Sequence, residues 1–119
     1  MPKVLLAEDD TIMVSLLKTL LKMEGFQIVA VDADADVPAA VRLEAPDVLL
    51  LDVHLSRQDG LNILDELRGH PETQNVNVVM TSGMNMRDEC LRRGANDFVL
   101  KPFMPDDLVN TLKKVMNLS

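Results

Sequence analysis

Short apolar runs alternate with longer amphipathic segments along the whole chain. The first run, Val4–Ala7, contains no polar residue and is followed by Glu8. A strand that is apolar on both faces belongs in the interior of a sheet covered by helices. The next segment has an N-capping residue at Asp10 or Thr11 and repeats apolar residues at helical spacing as far as Gly25. This order predicts a buried strand followed by a helix.

The same alternation of strands and helices continues to the end of the sequence. It predicts further strands near 28–31, 48–51, 76–81 and 98–100, and helices near 37–44, 61–68, 87–93 and 106–116. Five βα units with short connections favour a five-stranded parallel sheet with helices on both faces, because crossover connections are right-handed. We therefore expect an α/β protein, a doubly wound (βα)5 three-layer sandwich in which residues 1–119 form one domain.

Net charge and cysteine content indicate which binding partners and which cellular compartment to expect. The chain carries a formal net charge of −7, which opposes contact with phosphate backbones and anionic lipid surfaces. Cys90 is the single cysteine and can form no internal disulfide, which fits a reducing compartment. The sequence also contains neither a long apolar segment nor a secretory leader pattern. We expect a cytoplasmic protein that binds neither nucleic acid nor membranes directly.

Chemically active side chains follow the predicted strands. There are acids after the first and third strands, a hydroxyl after the fourth and a lysine after the fifth: Glu8, Asp9, Asp10, Asp52, Ser82 and Lys101. The carboxyl ends of parallel strands meet at one edge of the sheet. Carboxylates held close together there repel one another unless a cation intervenes, and hard oxygen ligands suit Mg²⁺. Beside such a cation and Lys101, Asp52 has the surroundings of a nucleophile for phosphoryl transfer.

The segments around these positions resemble the successive signatures of response-regulator receiver domains from two-component signalling. The similar segments are VLLAEDD (4–10), LLLD (49–52), DG (59–60), VVMTSG (78–83) and FVLKPF (98–103). Their order and spacing carry the resemblance, and they extend over essentially the whole chain. The resemblance implies the flavodoxin-like fold of the chemotaxis member of this family, with strand order 2-1-3-4-5.

The resemblance also assigns roles at the predicted metal site. Glu8 and Asp9 correspond to the acid pair that holds Mg²⁺, and Asp52 corresponds to the phosphoacceptor, which also contacts the metal. The backbone carbonyl of His54 corresponds to a further metal ligand, whereas its side chain is not expected to bind the ion.

Four more residues correspond to the switching machinery of the family. Ser82 matches the switch hydroxyl, Lys101 the phosphate-binding lysine and Phe98 the switch aromatic, while Pro102 matches the proline that follows a cis peptide bond. On phosphorylation, Ser82 is expected to move toward Asp52 and to leave space that Phe98 fills.

The function implied by the resemblance is that of a phosphorelay switch in bacterial signalling rather than an enzyme. Asp52 would accept a phosphoryl group from a sensor histidine kinase or a phosphotransfer protein in a Mg²⁺-dependent reaction that the domain itself catalyses. The altered surface, formed by the helix after Gly83, the strand of Phe98 and the final helix, would contact an output domain or protein. A homodimer formed on phosphorylation is compatible with this scheme.

The sequence departs from the family pattern in three places. Ser56 replaces the usual proline four residues past the phosphoacceptor, and Met84 occupies a position that is often polar. Only 19 residues separate Ser82 from Lys101, so we expect a shortened loop and helix between them. The geometry of the signalling surface depends on that segment.

Two other functional classes compete with this interpretation. One is a receiver-like interaction module whose Asp52 is never phosphorylated, although the intact set of acids, hydroxyl and lysine argues against it. The other is a small phosphatase with an Asp nucleophile in the run 32–36, where three aspartates alternate with alanines. An EF-hand at this run is disfavoured because Val37 and Leu43 occupy the positions that need Gly and Glu. An acidic loop in which Asp36 caps a helix explains the run more simply.

Overall fold

The computed structural model describes residues 1–118 and follows the predicted alternation of strands and helices. In chain order the elements are β1 (Lys3–Ala7), α1 (Thr11–Met23), β2 (Gln27–Val31), α2 (Val37–Glu44), β3 (Val48–Asp52), β4 (His54–Leu55), β5 (Gln58–Asp59), α3 (Gly60–Gly69), β6 (Val78–Ser82), α4 (Arg87–Arg92), β7 (Asp97–Leu100) and α5 (Pro105–Val115).

The five long strands form one parallel sheet in the order β2-β1-β3-β6-β7. Because β4 and β5 lie outside this sheet, the order is the predicted 2-1-3-4-5, and the predicted fold class is confirmed. The sequence analysis missed the antiparallel hairpin of β4 and β5, in which His54 pairs with Asp59 and Leu55 with Gln58. Strands of two residues are too short to display a period of hydrophobic alternation.

Helices cover both faces of the sheet because successive side chains of each strand point to opposite faces. In β1, Leu5 and Ala7 pack with buried residues of α2, α3 and α4, whereas Val4 and Leu6 pack with buried residues of α1 and α5. Every residue of the central strand β3 is buried. Two hydrophobic cores therefore hold β3 rigidly, and Asp52 is its last residue.

Aspartate side chains cap the N-termini of three helices at the carboxyl edge of the sheet. Asp10 accepts hydrogen bonds from the backbone of α1, Asp36 from that of α2, and Asp59 from that of α3. Such caps satisfy backbone N–H groups that have no partner inside the helix. These three carboxylates thus have a structural function that is separate from the other acids of this edge.

The strand order places a crevice between the carboxyl ends of β1 and β3. The chain passes from β1 to β2 on one side and then crosses back to β3 on the other side. Ligands of open α/β sheets bind at such a reversal of strand order. Within residues 1–118, no helix is both long and apolar enough to cross a membrane.

Candidate functional site

Three carboxylates meet at the crevice between β1 and β3. Glu8 and Asp9 follow β1 directly, and Asp52 ends the neighbouring strand, whose Leu51 pairs with Ala7. One ligand oxygen from each of Glu8, Asp9 and Asp52 lies within 4.8 Å of the others. Glu8 and Asp52 are each only 5% exposed, while Asp9 is nearer the surface. Three of the four acids predicted at the strand ends are therefore brought together.

Lys101, which directly follows β7, forms ion pairs with two of these acids. Its Nζ lies 2.7 Å from Glu8 Oε1 and 2.8 Å from Asp52 Oδ2. The backbone N–H of Lys101 donates to the carbonyl of Ser82 at 2.8 Å, which extends the pairing of β6 and β7 to this residue. The Lys101–Pro102 peptide bond is cis.

Burial and charge act against each other in this ion-pair cluster. Burial raises the pKa of the Glu8 carboxyl above its ordinary value, although the hydrogen bond from Lys101 opposes the shift. Burial alone would lower the pKa of the Lys101 ammonium, but its hydrogen bonds to Asp52 and Glu8 raise it instead. The cluster contains three carboxyl groups and one ammonium, so its formal charge is negative. This donor set of hard oxygens fits a divalent cation such as Mg²⁺.

The hairpin after Asp52 supplies backbone donors to two of the acids. The N–H of His54 donates to Asp52 Oδ1 at 2.9 Å, and the N–H of Ser56 donates to Asp9 Oδ2 at 2.8 Å. Partial burial would raise the pKa of Asp9, but the hydrogen bonds from Ser56 hold it below its ordinary value. The side chain of His54 is exposed, and the metal-ligand role of its carbonyl stays a prediction.

The two predicted switch residues lie on neighbouring strands behind the acids. Ser82 is 1% exposed, and its Oγ accepts a hydrogen bond from the N–H of Met84 at 3.1 Å. Phe98 packs into the core on the α2, α3 and α4 side of the sheet and is 3% exposed. Phe98 is thus buried in this structure, and its expected movement on phosphorylation stays a prediction.

The remaining acids of this edge lie outside the cluster. Asp10, one of the six residues identified at the strand ends, is the cap of α1 rather than a member of the carboxylate group. In the run 32–36, Asp36 caps α2 and Asp34 pairs with the exposed Arg57 at 3.4 Å. Within residues 1–118, the only group of three or more potential metal ligands is that of Glu8, Asp9 and Asp52.

Sequence reasoning missed two residues next to the site and the tight packing of a third. Gln58 donates from its amide to the carbonyls of Ala33 and Ala35. The Thr81 hydroxyl, on the strand residue paired with Asp52, is the only buried side-chain polar atom without a partner among residues 1–118. Gly60 was quoted for its motif, but its tight packing against the Asp52 backbone was not foreseen. No sequence signal identifies the hydrogen bonds of Gln58 or the unpaired hydroxyl of Thr81. The Asp59-Gly60 pair, in contrast, could have indicated that the backbone at Gly60 packs closely against another segment.

Comparisons with known proteins show what this chain is similar to. The model of the response regulator receiver domain matches residues 4–113. The chain is 35% identical to the transcriptional regulatory protein CpxR of Klebsiella pneumoniae over 119 residues, which are 100% of this chain and 51% of that protein. The chain spans about half the length of the curated relatives it matches.

Solved structures give the same result. The receiver domain of NtrX from Brucella abortus is 33% identical, with a TM-score of 0.81 and coverage of 98% of this chain and 99% of that one. The receiver domain of the sensor histidine kinase PA1611 from Pseudomonas aeruginosa has a TM-score of 0.86 with 98% of both chains covered, and is described with a magnesium ion in its active-site cleft. Because its sequence identity is only 23%, this likeness shows a shared fold alone.

Proposed function

This chain belongs to the response regulator receiver domain family of two-component systems, and on that premise we propose that Asp52 is its phosphoacceptor. The single observation that carries the proposal is the position of Asp52 between Lys101 and the His54 amide, each of which holds one of its carboxylate oxygens. A carboxylate fixed at both oxygens at the open edge of a sheet is oriented for attack on an incoming phosphorus atom.

The transfer we propose is a displacement at phosphorus. An oxygen of Asp52 forms a bond to the phosphorus of a phosphohistidine donor while the bond from phosphorus to the imidazole nitrogen breaks, and the nitrogen keeps the electron pair. Negative charge on the transferred group is neutralised by Lys101, whose ammonium already lies beside the carboxylate. Positioning and charge neutralisation supply most of the rate in such reactions.

We propose Mg²⁺ as the cation of the site, held by Glu8, Asp9 and Asp52. Support comes from the convergence of their oxygens and from their excess negative charge over Lys101. When bound, Mg²⁺ neutralises charge on the phosphoryl oxygens. The backbone carbonyl of His54 is our candidate for a further ligand, and Ser82 is our candidate for the hydroxyl that contacts the phosphorylated Asp52.

The partners of the domain follow from its family. We propose a sensor histidine kinase or a phosphotransfer protein as the donor, and an output domain or protein as the recipient of the signal. We treat residues 1–119 as one receiver unit that acts as a switch rather than as an enzyme with a separate substrate. CpxR is described as a transcriptional regulatory protein, so the expectation that nucleic acid is not a partner has no support for a longer natural protein.

The test is incubation with a small phosphodonor and Mg²⁺, followed by intact-mass measurement. The wild type should gain one phosphoryl group, and Asp52→Asn should gain none while keeping its fold. Asp32→Asn is the matched control, because it removes an aspartate of the run 32–36 outside the carboxylate group. Labelling of Asp52→Asn together with loss of labelling in Asp32→Asn would favour the phosphatase-like alternative.

A further inference from the structure

The β4–β5 hairpin, residues 54–59, determines where two acids of the site point. Its backbone supplies the N–H of His54 to Asp52 and the N–H of Ser56 to Asp9. A displacement of this hairpin therefore changes the orientation of both carboxylates at the same time. What holds the hairpin in place is consequently part of the construction of the site.

The hairpin is too small to hold its own position. It has only two residue pairs, and an isolated two-stranded ribbon is at best marginally stable in water. The buried side chain of Leu55 anchors one end in the core, and the Gly60 N–H donates to the Val53 carbonyl at 2.7 Å where the hairpin joins α3. These contacts fix the base of the hairpin and leave the turn at Ser56 and Arg57 to be held by other groups.

Gln58 supplies the main connection between the hairpin and the loop 32–36. Its Nε2 donates to the carbonyl of Ala33 at 2.6 Å and to the carbonyl of Ala35 at 2.8 Å, so both amide protons are used. The second connection is the ion pair of Arg57 with Asp34, whose side chains are 75% and 65% exposed. Ion pairs at such exposure contribute little to stability. The amide of Gln58 is therefore the main link between the hairpin and the loop 32–36.

We propose that Gln58 is a positioning residue for the metal and phosphorylation site, acting through the hairpin on the Ser56 N–H and Asp9. This inference rests on the proposed function for its effect on Mg²⁺, but its structural effect is independent of it. An amide is suited to this position because the two acceptors are backbone carbonyls, which need donors. An ionised carboxylate has no proton to give them, and a thioether has none either.

The experiment compares Gln58→Met, which removes both donors, with Gln58→Lys, which keeps them on a side chain of similar length. Gln58→Glu is a second variant of nearly the same shape without donors, in case Gln58→Met does not fold. Arg57→Ala is the matched control, because it removes the other link to the same loop. The backbone amide resonance of Ser56 is recorded in the metal-free proteins, and the dissociation constant of Mg²⁺ is measured by calorimetry.

Gln58→Met and Gln58→Glu should shift the Ser56 amide resonance toward that of a weaker hydrogen bond and weaken Mg²⁺ binding about tenfold, as is usual for residues that orient metal ligands. Gln58→Lys should return the Ser56 resonance toward that of the wild type. Arg57→Ala should leave the Mg²⁺ affinity unchanged, and its Ser56 shift, caused by the change of the next residue in the chain, should be smaller than that of Gln58→Met. A lower melting temperature with an unchanged Ser56 resonance and unchanged Mg²⁺ affinity would overturn the proposal.

A failure of the proposed function has a different signature. If Asp9→Asn leaves the Mg²⁺ affinity of the protein unchanged, the cation does not bind at these acids. The positioning role is then decided by the Ser56 resonance alone. A shift in Gln58→Met that Gln58→Lys reverses supports the role, and no shift refutes it.

Discussion

Gly60 lies against the backbone of the residue that we propose as phosphoacceptor. A Cβ atom at this position would come within 2.8 Å of Val53 Cα and 3.0 Å of the Val53 carbonyl oxygen, and would overlap the carbonyl oxygen of Asp52. Backbone atoms cannot rotate away as the end of a flexible side chain can. The absence of a side chain at Gly60 is therefore what allows α3 to begin directly behind the end of β3.

Gly60→Ala should destabilise the protein by about 1 to 3 kcal/mol, the range for overpacked sites. It should also slow labelling by a small phosphodonor, because the backbone of Asp52 must shift to make room. Urea unfolding and the rate of the mass increment measure the two effects. Gly69→Ala is the control, since a Cβ there meets no atom within 4 Å. Equal stability of Gly60→Ala and the wild type would contradict the steric account.

Thr81 carries a buried hydroxyl for which the described part of the chain provides no partner. Its Cα is paired with that of Asp52 across β3 and β6, so it lies one strand away from the site. Burying a hydroxyl without a hydrogen bond costs free energy, and a methyl group of the same shape avoids that cost. Thr81→Val should therefore raise the free energy of unfolding by about 1 kcal/mol in urea. A loss of stability of similar size would reveal a partner for the hydroxyl, such as a bound water.

Individual site residues were predictable when their position along a strand was sufficient. Glu8, Asp9, Asp52 and Lys101 end or follow apolar runs, and the parallel sheet brings such ends together. Gln58 gives no such signal, because its acceptors are the backbone carbonyls of residues 23 and 25 positions away. A side chain bound to distant backbone has no counterpart in a pattern of hydrophobic and polar residues.

At the scale of elements, α4 is short and is attached on two sides. Arg93, next to its last residue, binds Asp65 of α3, with Nη2 lying 2.5 Å from Oδ2. Arg87 at its start donates to Asp97 at 3.0 Å and to the carbonyl of Phe98 at 2.9 Å. The 19-residue spacing of Ser82 and Lys101 predicted a shortened segment, and α4 has six residues. Arg87 connects this helix directly to the backbone of Phe98.

The ion pair between Asp65 and Arg93 predicts a pH dependence. The hydrogen bond from Arg93 lowers the pKa of Asp65 below its ordinary value, with partial burial opposing the shift. Because the pKa of Asp65 is lower in the folded state than its ordinary value of 3.8, the ionised carboxylate stabilises the folded protein above about pH 3.8. This stabilisation is lost as the pH falls through the folded pKa. Asp65→Asn should therefore be less stable than the wild type at pH 6.

The measurement is urea unfolding of both proteins between pH 6 and pH 2. The difference between the wild type and Asp65→Asn should shrink toward acid pH, and it should also shrink in high salt because the pair is near the surface. A difference that is constant over the whole pH range would show that the charge of Asp65 is not what attaches α3 to α4.

Element prediction succeeded where periodicity was long enough to read. The boundaries of α1 followed from its cap at Asp10 and its end before Gly25, which has a φ of +89°. The β4–β5 hairpin could not be predicted, because strands of two residues have no period and their pairing depends on tertiary contacts. The hairpin is nevertheless the element that orients the site acids, so the missed element is functionally important.

For the molecule as a whole, a divalent cation should act as a stabilising ligand. The site holds Glu8, Asp9 and Asp52 close together, with the ammonium of Lys101 beside two of them. A ligand that binds only the folded state raises stability by about 2.7 kcal/mol at 100 times its dissociation constant. We therefore expect Mg²⁺ to raise the melting temperature in a concentration-dependent way.

Thermal unfolding at increasing Mg²⁺ concentration, with chelator in the reference sample, measures this shift. Asp9→Asn should shift less than the wild type at each concentration, because one of the three acids has lost its charge. Asp34→Asn, outside the carboxylate group, should shift as much as the wild type. Equal shifts of the melting temperature in Asp9→Asn and the wild type would show that the cation binds elsewhere.

The ion pair of Lys101 with Glu8 joins residues that are 93 positions apart. Bringing such distant residues together costs the conformational freedom of the chain between them. On a ribosome, β1 and β3 emerge with their acids long before the lysine that balances them. A nascent or partly unfolded chain consequently contains the acids without the assembled site. Assembly of the site is thereby tied to completion of the fold, because a chain that ends before β7 lacks the ammonium that pairs with Glu8 and Asp52.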